Sequence, residues 1–233
     1  MRHDGLVDKK ESVMKTEDLV SLCLSRESMY RLLARIYYCE MDKKTMNVLT
    51  ALQFEEPLGI EALDGSLARF QKTVESYQKA DDRAYEELAA DYARCFLGAG
   101  IVGENFACPY ESVFTSPDGL VAQDAFESMH QLLNHTGLKL SDSDLMDDHL
   151  AIEFGYLAVL CQQAAEIAQK GESEALAKNL KQQKDFLENH ILNWLPAFCR
   201  KTEACPVGAF YPQAAQLTEA LVTWDKSVVS ELL

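Results

Sequence analysis

Met29-Tyr30-Arg31-Leu32-Leu33-Ala34-Arg35-Ile36-Tyr37 decides the fold class, because Met29, Leu32, Leu33, Ile36 and Tyr37 recur at helical steps. Such spacing lays one apolar stripe along a helix and does not fit the two-residue alternation of a half-buried strand. The rhythm returns along the chain. Met46, Leu49 and Leu52 give a short second stripe closed by Pro57 and Gly59, and Leu63, Leu67, Phe70, Val74 and Tyr77 give a third. Tyr85, Leu88, Ala89, Tyr92 and Phe96 make a fourth, with Gly98 and Gly100 as natural stops. Helix resumes through Ala122, Ala125, Phe126, Met129, Leu132 and Leu133 as far as Gly137. A polar connection, Ser141 to Asp144, then leads into a long apolar helix through Leu150, Phe154, Leu157, Leu160 and Cys161. Beyond Gly171 come Leu176, Leu180, Phe186 and Leu187, and a last helix is expected beside Pro212, carrying Leu217, Leu221, Trp224 and Val228. No alternating run rich in valine, isoleucine and threonine suggests a sheet. The reading is an all-α, compact helical bundle. Residues 1–15 are expected to form a flexible N-terminus and 16–233 a single domain, with a subdivision near 98–119 as an option.

The chain of 233 residues, 48% hydrophobic, is long enough to build a sizeable core. Its 22 Lys and Arg stand against 37 Asp and Glu, a formal charge of -15. So acidic a surface repels phosphate backbones and anionic lipid, which argues against nucleic-acid binding and membrane attachment and favours a basic partner. No apolar run reaches membrane-spanning length and the first residues show no signal-peptide core, so a cytoplasmic protein is expected. The seven cysteines are odd in number and scattered. Cys23, Cys39, Cys95 and Cys161 sit among apolar helical positions and read as small buried hydrophobes, reduced in that compartment.

Two polar strings interrupt the helices. Ala107-Cys108-Pro109-Tyr110-Glu111-Ser112-Val113-Phe114 lies in the glycine- and proline-marked stretch from Gly98 to Gly119, which reads as a long ordered loop or a pair of turns. Asp147-Asp148-His149-Leu150-Ala151-Ile152-Glu153-Phe154 marks the start of the long apolar helix, and the two regions are candidates to meet in space. Asp147 or Asp148 can cap that helix, and Glu153 falls four residues beyond His149 on the same face, where the pair can bind a donor-rich partner or the carboxylate can orient the imidazole. Tyr110 and Phe114 can tie their loop to the core or, with Glu111 between them, form one wall of a peptide groove that is apolar beneath and acidic at its rim. At the other end of the chain His190, Trp194 and Phe198 share a helical face, a packing stripe by default, and Pro196 is expected to bend or end that helix.

Catalytic patterns are weak by comparison. Gly98-x-Gly100-x-x-Gly103 has the phase of a dinucleotide loop but follows a helical stripe instead of a strand. Cys108 and Ser112 have no base fixed beside them by sequence. No second histidine stands at ligand spacing from His149, yet Asp147, Asp148, His149 and Glu153 leave a helical metal-dependent hydrolase as the rival reading. A helical adaptor for another protein is a third.

The motifs resemble the TorD/DmsD/NarJ-type cytoplasmic chaperones that mature molybdenum redox enzymes. Tyr92-Ala93-Arg94-Cys95-Phe96-Leu97-Gly98 is similar to that family's Tyr-x-x-Leu-Phe-x-Gly segment, with Cys95 in the leucine place. Pro109 to Phe114 is similar to Pro-x-Glu-Ser-x-Tyr, with Phe114 in the tyrosine place. Asp148-His149-Leu150 followed by Glu153 is similar to Pro-x-Asp-His and its later glutamate, with Met146 in the proline place. His190, Trp194 and Phe198 resemble the closing His-x-x-x-Trp-x-x-x-Phe pattern. The resemblance implies an all-helical, non-enzymatic chaperone without a cofactor of its own, monomeric or homodimeric. It would bind the twin-arginine leader peptide, the apoprotein, or both, of a molybdopterin oxidoreductase and hold it for cofactor insertion. Tyr110, Glu111, Asp148, His149 and Glu153 are the expected client-binding residues. Asp148 would cap its own helix while presenting charge to the basic leader, and His149 would donate to a leader carbonyl and respond to mild acidification.

Overall fold

The computed structural model describes residues 14–52, 59–100, 106–138 and 145–233. Pro57, Gly103, the Ser141–Asp144 connection and most of the expected flexible N-terminus lie outside these residues. The described chain runs through α1 (Thr16–Tyr38), α2 (Lys43–Ala51), α3 (Glu61–Ser76), α4 (Asp82–Leu97), α5 (Glu111–Thr115) and α6 (Asp124–Thr136). It continues through α7 (Leu150–Lys170), α8 (Ser173–Phe186), a π-helical turn (Leu187–Ile191), α9 (Leu195–Glu203) and α10 (Phe210–Leu232). Among the described residues there is no strand, only an isolated antiparallel bridge between Tyr110 and His149.

Each long stripe in the sequence corresponds to a helix, and local chemistry sets several of the ends. The Asp42 and Asp81 side chains accept from Thr45 N and Ala84 N at 2.6 and 3.1 Å, starting α2 and α4. Gly171 takes a left-handed conformation and closes α7. That helix is apolar nearly all round, with Leu150, Phe154, Leu157, Ala158 and Cys161 buried, and it therefore belongs at the centre. α1 lies along it, α8 also packs against it, and α10 packs against α3 and α9. One core cluster joins residues from α1 to α10. At its heart Tyr37, Phe96, Phe198 and Tyr211 meet at ring separations of 5.2 to 5.9 Å, mostly edge to face.

Two local expectations are corrected. Pro196 does not end a helix through Trp194; it sits in the first turn of α9 and starts that helix, where its missing N–H costs nothing. His190, Trp194 and Phe198 therefore span a π turn, a bend and a new helix, although Trp194 and Phe198 do pack edge to face at 5.6 Å. The stretch after Gly98 is also not wholly loop, since Glu111–Thr115 forms one helical turn.

All seven cysteines are free; Cys23, Cys95 and Cys161 are buried as expected, while Cys39 is half-buried. No described helix is long and apolar enough to cross a membrane.

Candidate functional site

The two polar strings do meet. Glu111 N donates to Asp148 O at 3.0 Å and Leu150 N donates to Pro109 O at 2.9 Å, pairing Tyr110 with His149 across an antiparallel bridge. Pro109 suits this place because only its carbonyl is needed. The Tyr110 ring stands edge-on to the His149 imidazole at 4.8 Å.

The bridge shifts the capping roles by one residue. Asp148 does not cap α7: its Oδ2 accepts from Ser112 N at 3.0 Å and so caps α5, a helix with no cap of its own. His149 caps α7 instead, with Nδ1 accepting from Ala151 N at 3.1 Å. Burial holds the His149 imidazole down to about 3, so it stays neutral under mild acid and the expected response to acidification is overturned. With Nδ1 occupied as an acceptor, only Nε2–H remains to donate. Nor does Glu153 orient this ring, for the two side chains share no hydrogen bond.

The carboxyls gather behind the bridge. Glu111, only 3% exposed, accepts from His190 Nδ1 at 3.0 Å and from Asn193 Nδ2 at 2.9 Å. Glu153 projects from α7 and is completely buried. Neither of its oxygens, nor Oδ1 of Asp148, has a well-formed hydrogen bond within the protein. Burial first, then the neighbouring Glu111 and Asp148 carboxyls, push Glu153 well above the usual carboxylate range, which favours its neutral form. Burial also raises Asp148, although its bonds from Ser112 pull the other way. The negative charge expected at an open rim is thus enclosed instead.

Sequence reasoning assigned no site role to His190, Asn193 or Ser112. The π turn brings the first two onto Glu111: Leu192 N donates to Leu187 O at 2.8 Å, a five-residue step that shifts the helical phase just there. Trp194 Nε1 then donates to His190 O at 2.7 Å, and the Trp194 ring stacks on Phe114 at 5.3 Å. Ser112 is buried, its Oγ accepting from Gln123 N at 3.1 Å. His190 also lines a groove of about 410 Å³ with Leu132, Tyr156, Lys178, Gln182 and Phe186.

Asp147 stands apart, its Oδ2 held 2.7 Å from His130 Nδ1 on the exposed side of α6. With Asp148 turned to α5 and His149 Nδ1 to its own helix, the hydrolase reading loses its ligand set. Among the described residues no group of three or more His, Cys, Asp or Glu could hold a metal ion.

Comparisons with known proteins follow the same residues. The family model described as nitrate reductase delta subunit matches residues 60–200, which hold both strings, the π turn and most of α9. The chain is 31% identical over 221 residues to the chaperone protein TorD of Vibrio cholerae serotype O1, covering 93% of this chain and 97% of that one. It is 30% identical to the chaperone protein TorD of Shewanella pealeana over 87% of each chain. The counterpart from Vibrio parahaemolyticus is 28% identical over 87% of this chain and 93% of its own. A match of this extent, in an all-helical bundle, shows that the chain belongs to the TorD-like chaperone family.

Proposed function

We propose that this protein is a cytoplasmic maturation chaperone that holds the apoprotein of a molybdopterin-dependent oxidoreductase for cofactor insertion. Its Tyr110–His149 region receives the twin-arginine leader of that client. The observation that carries this reading is a buried acidic group without a lysine or arginine. No lysine or arginine pairs with Glu111, Asp148 or Glu153 among the described residues, and three carboxyl oxygens there lack well-formed bonds. A guanidinium supplies five donors in a planar fork, and the half-buried Tyr110 ring at the rim can lie against its face. The groove beside His190, with Tyr156 and Phe186, offers apolar walls to the residues that follow the arginines. Because Glu153 is wholly covered, entry requires the Tyr110 ring or the one-turn α5 to move aside. The role is one of binding; no step of bond chemistry is assigned to these residues.

This reading makes a calorimetric prediction. A guanidinium beside Glu153 favours its ionised form, so leader binding expels a proton and tightens as pH rises. Titrating the protein with the leader of a neighbouring molybdoenzyme, in two buffers of different ionisation enthalpy, is expected to show that release. A leader with both arginines changed to glutamine should show neither binding nor release. Equal binding of the two leaders would remove Glu153 from recognition. Capture of the apoprotein without its leader would keep the chaperone role and reject the leader site.

A further inference from the structure

Cys95, near the end of α4, and Cys205, in the turn between α9 and α10, lie 110 residues apart in sequence, yet Cys205 Sγ reaches the backbone carbonyl of Cys95. Ala107 N donates to Cys95 O at 2.6 Å, and Cys205 Sγ approaches the same oxygen at 4.0 Å. Cys205 Sγ also lies 3.4 Å from Lys201 O. Both thiols are free, Cys95 fully buried and Cys205 6% exposed. Packing as small hydrophobes accounts for either residue alone, but not for two thiols in side-chain contact with each other at a junction of three segments.

We propose that Cys95 and Cys205 are an oxidisable pair, joined by hydrogen peroxide into an intramolecular disulfide that ties α4 to the α9–α10 turn. Peroxide suits the place because the oxidant must be small enough to reach a sulfur at the edge of burial. The two thiols are unlike. The Cys95 thiol, the Ala107 N–H and Lys201 all favour the Cys205 thiolate, against its burial, and hold it below the ordinary thiol range. Cys95 is pushed up by the same contact with Cys205 and by burial, so it remains a thiol until the second step. The Cys205 thiolate attacks one peroxide oxygen; the O–O bond breaks, hydroxide leaves and takes up a proton as water, and Cys205 becomes a sulfenic acid. The Cys95 sulfur then attacks the Cys205 sulfur, and the sulfenic hydroxyl departs with the Cys95 proton as a second water. Two thiols and one peroxide give one disulfide and two waters, the sulfurs losing two electrons to the peroxide. Thiol exchange with a reducing dithiol reverses the bond. Ala107 stands two residues before Pro109, so the disulfide would fasten the root of the loop that carries Tyr110 and Glu111.

The test uses the full chain. It is treated with stoichiometric hydrogen peroxide, its remaining thiols are alkylated, and it is digested without reductant for peptide mapping by mass spectrometry. The expected result is loss of two of the seven thiols and a cross-linked peptide joining Cys95 to Cys205. That product should vanish on reduction and be absent from Cys205→Ala, in which Cys95 stays reduced. Retention of all thiols would overturn the proposal. So would Cys205 carried to a sulfinic acid without a partner, or a cross-link through Cys108, the other thiol on which Lys201 bears. The wild-type map decides the outcome even where Cys95→Ser does not fold.

Discussion

Two groups of buried charge sit in this bundle, and they are resolved in opposite ways. Between α1 and α10, Arg26 meets Asp225 through Nε to Oδ1 at 2.5 Å and Nη2 to Oδ2 at 2.9 Å. The Tyr30 hydroxyl donates to the same carboxylate at 2.6 Å. Between α5, α7 and the π turn, three carboxyls gather, with His190, Asn193 and the Ser112 N–H among their donors. Buried charge is relieved by pairing or by neutralisation. The first group pairs its charges, with Arg26 Nη1 left without a hydrogen bond. The second is pushed toward a neutral Glu153 and leaves three carboxyl oxygens without partners, and that difference in charge pairing separates a structural rivet from a site with acceptors still to be satisfied.

The comparison breaks most visibly at the rivet. Changing Asp225 to Asn should leave the Arg26 guanidinium buried without its counter-charge, at a cost of about 3–5 kcal/mol in denaturant unfolding. Replacing both partners by apolar residues of similar volume, Arg26→Met with Asp225→Leu, should recover most of that loss, because neither variant residue then strands a charge. Leader affinity measured on whatever protein remains folded should not change. A mild Asp225→Asn variant would mean that the Arg26 pair is no more committed to the fold than the acidic group is.

Glu153→Gln should behave in the contrary manner. A carboxyl whose folded value is raised contributes stability that is complete below its unfolded value, 4.5, and is lost as pH rises toward the folded value. Glutamine does not titrate. The variant should therefore match the parent in acid and become progressively the more stable of the two as pH rises, by up to about 1.4 kcal/mol per pH unit across that window. Urea midpoints at several pH values measure the gap. A gap that narrows with rising pH would show Glu153 to be ionised in the fold and would erase the contrast with Asp225.

Much of this was legible in the residues. Helix is a local outcome, and the stripes from Met29 to Val228 foretold it; the two polar strings were also readable as partners. The rest depended on contacts that no local pattern carries. Arg26 and Asp225 are 199 residues apart, and Glu111 and His190 are 79 apart. Pro196 looks the same in sequence whether it breaks one helix or opens the next, and only the π turn ahead of it decides. Asp148 departs from its expected role for a related reason: an aspartate before an apolar run normally caps that run, but the Pro109–Leu150 bond moves the helix entry to His149 and frees Asp148 for a turn 36 residues away.

The smallest effect is expected at Asp148, where the two roles of a buried carboxylate can be separated. Asparagine keeps an oxygen to accept from Ser112 N, so the cap on α5 survives and the loss of stability should stay within about 1 kcal/mol. It removes the charge that a guanidinium would face, so leader binding should weaken several-fold, by roughly 1 kcal/mol. Alanine removes cap and charge together and should cost a further increment of stability by loosening α5 beneath Tyr110. Thermal unfolding and leader titration on the parent, Asp148→Asn and Asp148→Ala decide between the roles. Unchanged affinity in a stably folded Asp148→Asn protein would place Asp148 with Asp225 as a purely structural acid. Recognition would then fall to Glu111 and Glu153 alone.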